Sequence, residues 1–292
     1  MTLAVARNFG ERILMLSDTM ISGKALVRSD IIPGQLKSIV LNASVSVSYS
    51  GTPAEYALKV IREARNQLER GADLDVILEE FKHVSSDGNL DFIVAAHRPH
   101  AMLYRIGEGE IACGLDRYWI GDEAVAREVH SLMDKQPRAP ANQLPDFIHE
   151  EEGPLVFAFS TLIRETRSPV VGGLAINCLG SSYGHCYMDT AGVISWDTGT
   201  LPMTPEDEEI HRQLARTGTV SFRWNVIAPE ARGVAIIGAF FEDGDLGFIY
   251  SPLERDEAKK YHPITREDLT AKVKERAEAN LGNSRSNPKL RF

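Results

Sequence analysis

The strongest constraint on the fold is the order in which two hydrophobic periodicities alternate along the chain. Thr2 to Arg7 and Arg12 to Ser17 are apolar and β-capable, and the short Gly-containing turn Asn8-Phe9-Gly10-Glu11 between them predicts a hairpin. Leu36 to Leu41 and Ser44 to Tyr49 predict two more strands; in the second, Val45, Val47 and Tyr49 alternate with serines at strand period. Gly51-Thr52-Pro53 then breaks the sheet, and Tyr56, Val60, Ile61, Ala64 and Leu68 recur at helical spacing as far as Gly71. A second helix carries Leu74, Ile77, Leu78 and Phe81 on one face. Strand character returns at Asp91 to His97, Ala101 to Ile106 and Tyr118 to Ile120. Helices are predicted over Glu123 to Met133 and Leu155 to Thr166, then strands over Val170 to Cys178 and Tyr187 to Trp196. Runs of strands enclosing paired helices predict antiparallel sheets covered by helices, because a doubly wound parallel sheet would alternate strand and helix singly. The expected class is α+β: a four-layer αββα sandwich of two antiparallel sheets over residues 1–200.

Beyond it, Leu201 to Glu209 is acidic and Pro-containing, which reads as a linker or exposed loop. Val220 to Ile227, Val234 to Phe241 and Leu246 to Tyr250 read as strands, the last two joined by the hairpin signal Glu242-Asp243-Gly244-Asp245. A helix over Arg266 to Asn280 stops at Asn280-Leu281-Gly282. Residues 201–282 are therefore expected to form a C-terminal β-rich extension packed on the main domain, with 283–292 as a flexible tail.

At 292 residues and 43% hydrophobic content the chain can bury a sizeable core. Its longest apolar runs fall short of the ~18 residues that cross a bilayer, and no signal peptide is evident, so a cytoplasmic location without membrane contact is expected. A net charge of −9 argues against a nucleic-acid partner, which requires concentrated Lys and Arg. Cys113, Cys178 and Cys186 are odd in number and lack zinc-site spacing, which predicts reduced thiols; His185-Cys186 has no further ligand type close by, so no metal is expected.

The chemistry concentrates at the start of the chain. Thr2 opens the first strand, Asp18 follows sixteen positions later at the end of the second, and Lys37 sits at the start of the third. Singly, each has a plain structural reading: Asp18 as a turn former, Lys37 as a solvated strand residue, Asp122 as the N-cap of the helix at Glu123. Together, on a strand-turn-strand frame followed by Ser50-Gly51-Thr52-Pro53-Ala54-Glu55 and a helix, the pattern resembles the proteasome β-subunit family of N-terminal nucleophile hydrolases, over roughly residues 2–196. That resemblance implies the family's sandwich and a Thr2 nucleophile freed by removal of Met1. It also implies Lys37 as the group tuning the Thr2 amine and Asp18 as the anchor of Lys37. Oxyanion and substrate-binding groups are implied near Val47, Ser48, Ser50 and Gly51, and supporting residues at Asp122 and Ser168. Departures stand out at three positions. Asp122 and Val171 occupy positions where the family has Ser, and Ser168 stands where it has Asp.

The residue types suit the reaction. A Thr hydroxyl needs an adjacent base, an N-terminal amine with an ordinary pKa near 8 is tethered to it, and a nearby ammonium lowers that pKa. The expected activity is hydrolysis of a peptide or amide bond through an acyl-enzyme on Thr2, without a cofactor, in a ring-forming or helical homo-oligomer. The alternative is a catalytically inactive subunit of the same fold with a scaffolding role. No motif reports an ATPase partner. Gly180-Ser181-Ser182-Tyr183-Gly184 also matches a nucleophile elbow, with Asp197 and His211 as triad partners, but that motif requires a helix after the serine and the following segment is β-like.

Overall fold

The hairpin at the chain start sets the geometry of everything near Thr2. In the computed structural model, which describes residues 2–20, 34–97, 100–135, 148–165, 171–197 and 219–285, β1 (Leu3–Asn8) pairs antiparallel with β2 (Arg12–Ser17). The register Ala4↔Ser17 through Asn8↔Ile13 continues to Leu3, whose carbonyl accepts from the Asp18 N–H at 3.2 Å. A spacing of sixteen thus becomes a diagonal contact across one hairpin.

The protein is mixed α/β, with three antiparallel five-stranded sheets and five helices among the described residues. The first sheet runs β10 (Cys186–Met188), β9 (Ile176–Ser181), β2, β1, β8 (Arg117–Gly121). The second is a meander of β3 (Ser38–Asn42), β4 (Val45–Gly51), β5 (Leu90–His97), β6 (Ala101–Gly107) and β7 (Glu110–Cys113). The third is β11 (Thr190–Asp197), β12 (Thr219–Ile227), β13 (Ile237–Phe241), β14 (Leu246–Tyr250) and β15 (Lys259–Tyr261).

Helices α1 (Ala54–Glu69) and α2 (Leu74–Val84) lie on the second sheet, where Leu58, Ile61, Ile77 and Phe81 share a core with Val47, Tyr49 and Phe92. Phe81 stacks on Phe92 with ring centroids 4.6 Å apart. Helices α3 (Glu123–Lys135) and α4 (Gly153–Glu165) contribute Val125, Val129, Leu155 and Phe159 to a larger core, which also takes in Ala4, Ala6 and Met15 of the first sheet and Val40, Ile93 and Leu103 of the second. Because side chains alternate along a strand, Val45, Val47 and Tyr49 face the α1 and α2 helices while Ser46, Ser48 and Ser50 face the other way. All three serines are buried, so their alternation with apolar residues does not mark a solvent face.

The predicted elements are present with small shifts of boundary, and four differences have physical reasons. Short edge strands β7 and β15 carry too few apolar residues to show a period. The span from Tyr187 to Trp196 divides at Asp189 into β10 of the first sheet and β11 of the third. The third sheet therefore begins at Thr190, ahead of the boundary read at 200, since β11 and β12 pair with each other. The strand expected from Val170 starts at Ile176, and Val171 to Ala175 lead into it without regular structure. The C-terminal helix α5 (Arg266–Arg285) sets Leu269, Val273 and Ala277 against Ile236, Phe240 and Ile249. Among the described residues no helix is long and apolar enough to cross a membrane.

Candidate functional site

Asp18 is fully buried and accepts five hydrogen bonds. Its Oδ1 accepts from Thr2 Oγ1 at 2.6 Å, the Leu3 N–H at 3.0 Å and Lys37 Nζ at 2.8 Å. Its Oδ2 accepts from the Met20 and Gly172 N–H groups, each at 3.2 Å. A buried carboxylate persists only when compensated in this way. Lys37 reaches it from the second sheet, one residue ahead of β3, and also donates to the Met20 carbonyl. Gly172 closes the arrangement from a third segment, its carbonyl accepting from the Thr19 and Met20 N–H groups. Burial pulls the Lys37 pKa below its ordinary value of 10.5, and the Asp18 charge partly offsets that pull.

The Thr2 backbone is held on the other side by the end of β8. Leu3 pairs with Gly121, and the Asp122 N–H donates to the Thr2 carbonyl at 2.9 Å. Gly121 has φ of +98°, and a Cβ there would collide with the Thr2 carbonyl and approach Ser50 Oγ to 3.2 Å. Asp122 itself caps α3, its Oδ1 accepting from the Val125 N–H at 3.0 Å.

The four expected oxyanion and binding positions separate by strand geometry. Val47 packs its side chain under the helices, and Ser48 exchanges a 2.7 Å hydrogen bond with Ser38. Both have register partners on β3 and on β5, so the two ladders take up their N–H groups. Ser50 and Gly51 have register partners on β5, whereas the β3–β4 register ends at Ser48. The Tyr49 N–H donates to the Lys37 carbonyl, and by strand alternation the Gly51 N–H points to that same side, just past the end of the ladder. Of the four, Gly51 is the position whose backbone donor faces the Lys37 edge.

Ser168 lies outside the described residues, as does His211. The Gly180 to Gly184 segment is a turn between the antiparallel strands β9 and β10, with no helix after it, so it is not a nucleophile elbow. The contacts of Asp18 with Gly172 and Met20 escaped the reading of the sequence, because backbone donors leave no trace in residue type. Among the described residues no three His, Cys, Asp or Glu side chains converge as metal ligands. All three cysteines are free, and burial pushes the Cys178 thiol up to about 12.

Comparison with protein-family models gave no match, and comparison with curated proteins gave none.

Proposed function

We propose that this protein is a threonine-type hydrolase of the N-terminal nucleophile class, cleaving a peptide or amide bond through an acyl-enzyme on Thr2 once Met1 is removed. The observation that carries the reading is the convergence of Thr2 Oγ1 and Lys37 Nζ on one oxygen of Asp18. In this mechanism the freed Thr2 amine takes the hydroxyl proton as Oγ1 attacks the scissile carbonyl. The Asp18-bound Lys37 keeps positive potential beside the amine and so favours its neutral, basic form. The Gly51 N–H is the donor proposed for the developing oxyanion. The proton then passes from the amine to the leaving nitrogen, and water repeats the cycle to release the acyl group.

The fold proposed to go with this activity is the four-layer αββα sandwich: α1 and α2 on the second sheet, the two sheets sharing a core, α3 and α4 outside the first. A cytoplasmic homo-oligomer, ring or helical, is part of the same proposal, and Tyr56, Val76 and Phe157 supply exposed apolar side chains on three helices. The second reading, a catalytically inactive subunit with a scaffolding role, is favoured by one observation. The Asp122 carboxylate, expected to support the amine, has an oxygen committed to capping α3.

Intact-mass measurement separates the readings. The hydrolase requires loss of Met1 and a single covalent adduct with a peptide vinyl sulfone that disappears in Thr2→Ala. Active protein that retains Met1 would sink the mechanism.

A further inference from the structure

Ser46, Ser48 and Ser50 lie on one face of β4, and two of the three have partners. Ser48 Oγ bonds Ser38 Oγ, and Ser46 Oγ bonds His185 Nδ1 at 2.8 Å and accepts from Cys178 Sγ. Ser50 is 5% exposed as a residue, and its hydroxyl, which has no hydrogen-bond partner among the described residues, is not one of the fully enclosed unpaired atoms such as Ser17 Oγ. A hydroxyl that keeps some access has lone pairs open to a donor brought beside it.

Its position says which partner fits. A methyl group built on Gly121 would collide with the Thr2 carbonyl oxygen and come within 3.2 Å of Ser50 Oγ, so the hydroxyl and the Thr2 main chain flank the same small space beside Gly121. The Thr2 side chain is already turned toward Asp18, and its carbonyl is taken by the Asp122 N–H. Among the described residues the Thr2 nitrogen has no hydrogen-bond partner. While Met1 is attached this nitrogen is an amide; once Met1 is gone it is an amine with up to three N–H donors, and a neighbouring hydroxyl oxygen is a suitable acceptor.

We propose that Ser50 is the positioning residue for the Thr2 α-amine: its Oγ accepts a hydrogen bond from the amine and turns the nitrogen lone pair toward Thr2 Oγ1. The inference rests on the hydrolase reading above. A hydrogen bond that Ser50 accepts is strongest when the amine is charged, so Ser50 raises the amine's pKa while it fixes its orientation. Losing it moves the basic form to lower pH and misdirects it.

The test follows adduct formation by a peptide vinyl sulfone against pH, with intact mass as the readout, on wild type, Ser50→Ala, Ser50→Cys and Ser17→Ala. Ser17 is the control, a buried hydroxyl also without a partner but opposite Ala4 rather than Thr2. The expected result is a lower-pH midpoint and about a tenfold slower plateau in Ser50→Ala, the upper end for one hydrogen bond between neutral groups, since the amine is neutral on the plateau. Ser50→Cys, close in shape and a weak acceptor, moves the midpoint the same way, and Ser17→Ala leaves it in place. Unchanged midpoints and plateaus in both Ser50 variants overturn the role of Ser50 and leave the hydrolase standing. Absence of any adduct on wild type overturns both.

Discussion

Thr2 Oγ1 donates to Asp18 Oδ1 over 2.6 Å, and Lys37 Nζ donates to the same oxygen over 2.8 Å. A single carboxylate oxygen thus connects the residue just ahead of β1 in one sheet to the lysine just ahead of β3 in another.

Asp18→Asn is the most damaging conservative change at the site. The amide cannot serve all five donors, and it leaves the Lys37 ammonium buried without its counter-charge. The expected cost is about 3–5 kcal/mol, read from the urea midpoint, together with at least about a 10²-fold slower reaction with the vinyl sulfone.

Lys37→Met separates stability from chemistry. Asp18 keeps four of its five hydrogen bonds, so the cost is about 3 kcal/mol, the lower end for breaking a buried pair. Adduct formation falls steeply because the Thr2 amine loses its neighbouring positive charge, and its pH midpoint moves upward. A midpoint that does not move would exclude Lys37 as the group that tunes the amine.

Gly121→Ala tests how tightly β8 holds Thr2. The added methyl meets backbone rather than a movable side chain, at a φ of +98° that alanine avoids. A loss of about 2–4 kcal/mol is expected in thermal or urea unfolding, with reactivity reduced in protein that remains folded.

A chain of hydrogen bonds running from the surface at His97 inward to Cys178 predicts tautomers and a pH dependence. His97 Nε2 lies 2.7 Å from the Glu11 carbonyl, which can only accept, so this nitrogen carries the proton and His97 Nδ1 accepts from His185 Nε2 at 3.3 Å. His185 Nδ1 then accepts from Ser46, which accepts from Cys178. Nitrogen-15 spectra at pH 8 should show both rings protonated at Nε2. Burial lowers the His185 pKa from 6.5 to about 3, so between these values the unfolded chain binds a proton that the folded one does not. This contribution to stability is complete above pH 6.5 and declines below it, at about 1.4 kcal/mol per pH unit. A His185 variant that folds should lack that part of the slope.

The order of strands and helices was legible in the sequence because each element carries its own period. Val45, Val47 and Tyr49 show the two-residue repeat, and Leu74, Ile77, Leu78 and Phe81 the helical one. The spacing of Thr2 and Asp18 was legible for a related reason: a two-strand hairpin with a short turn converts sequence distance into register, and register into contact. Tertiary structure decided the rest. Lys37 reaches Asp18 from a different sheet, and Gly172 reaches it from a segment 154 residues away. No local period encodes an approach of that kind. Nor does residue type report which N–H groups a ladder leaves over, and this is what places Gly51 rather than Val47 or Ser48 at the Lys37 edge. The N-cap read at Asp122 was legible because it is local, and its Oδ1 accepts from the Val125 N–H three residues on.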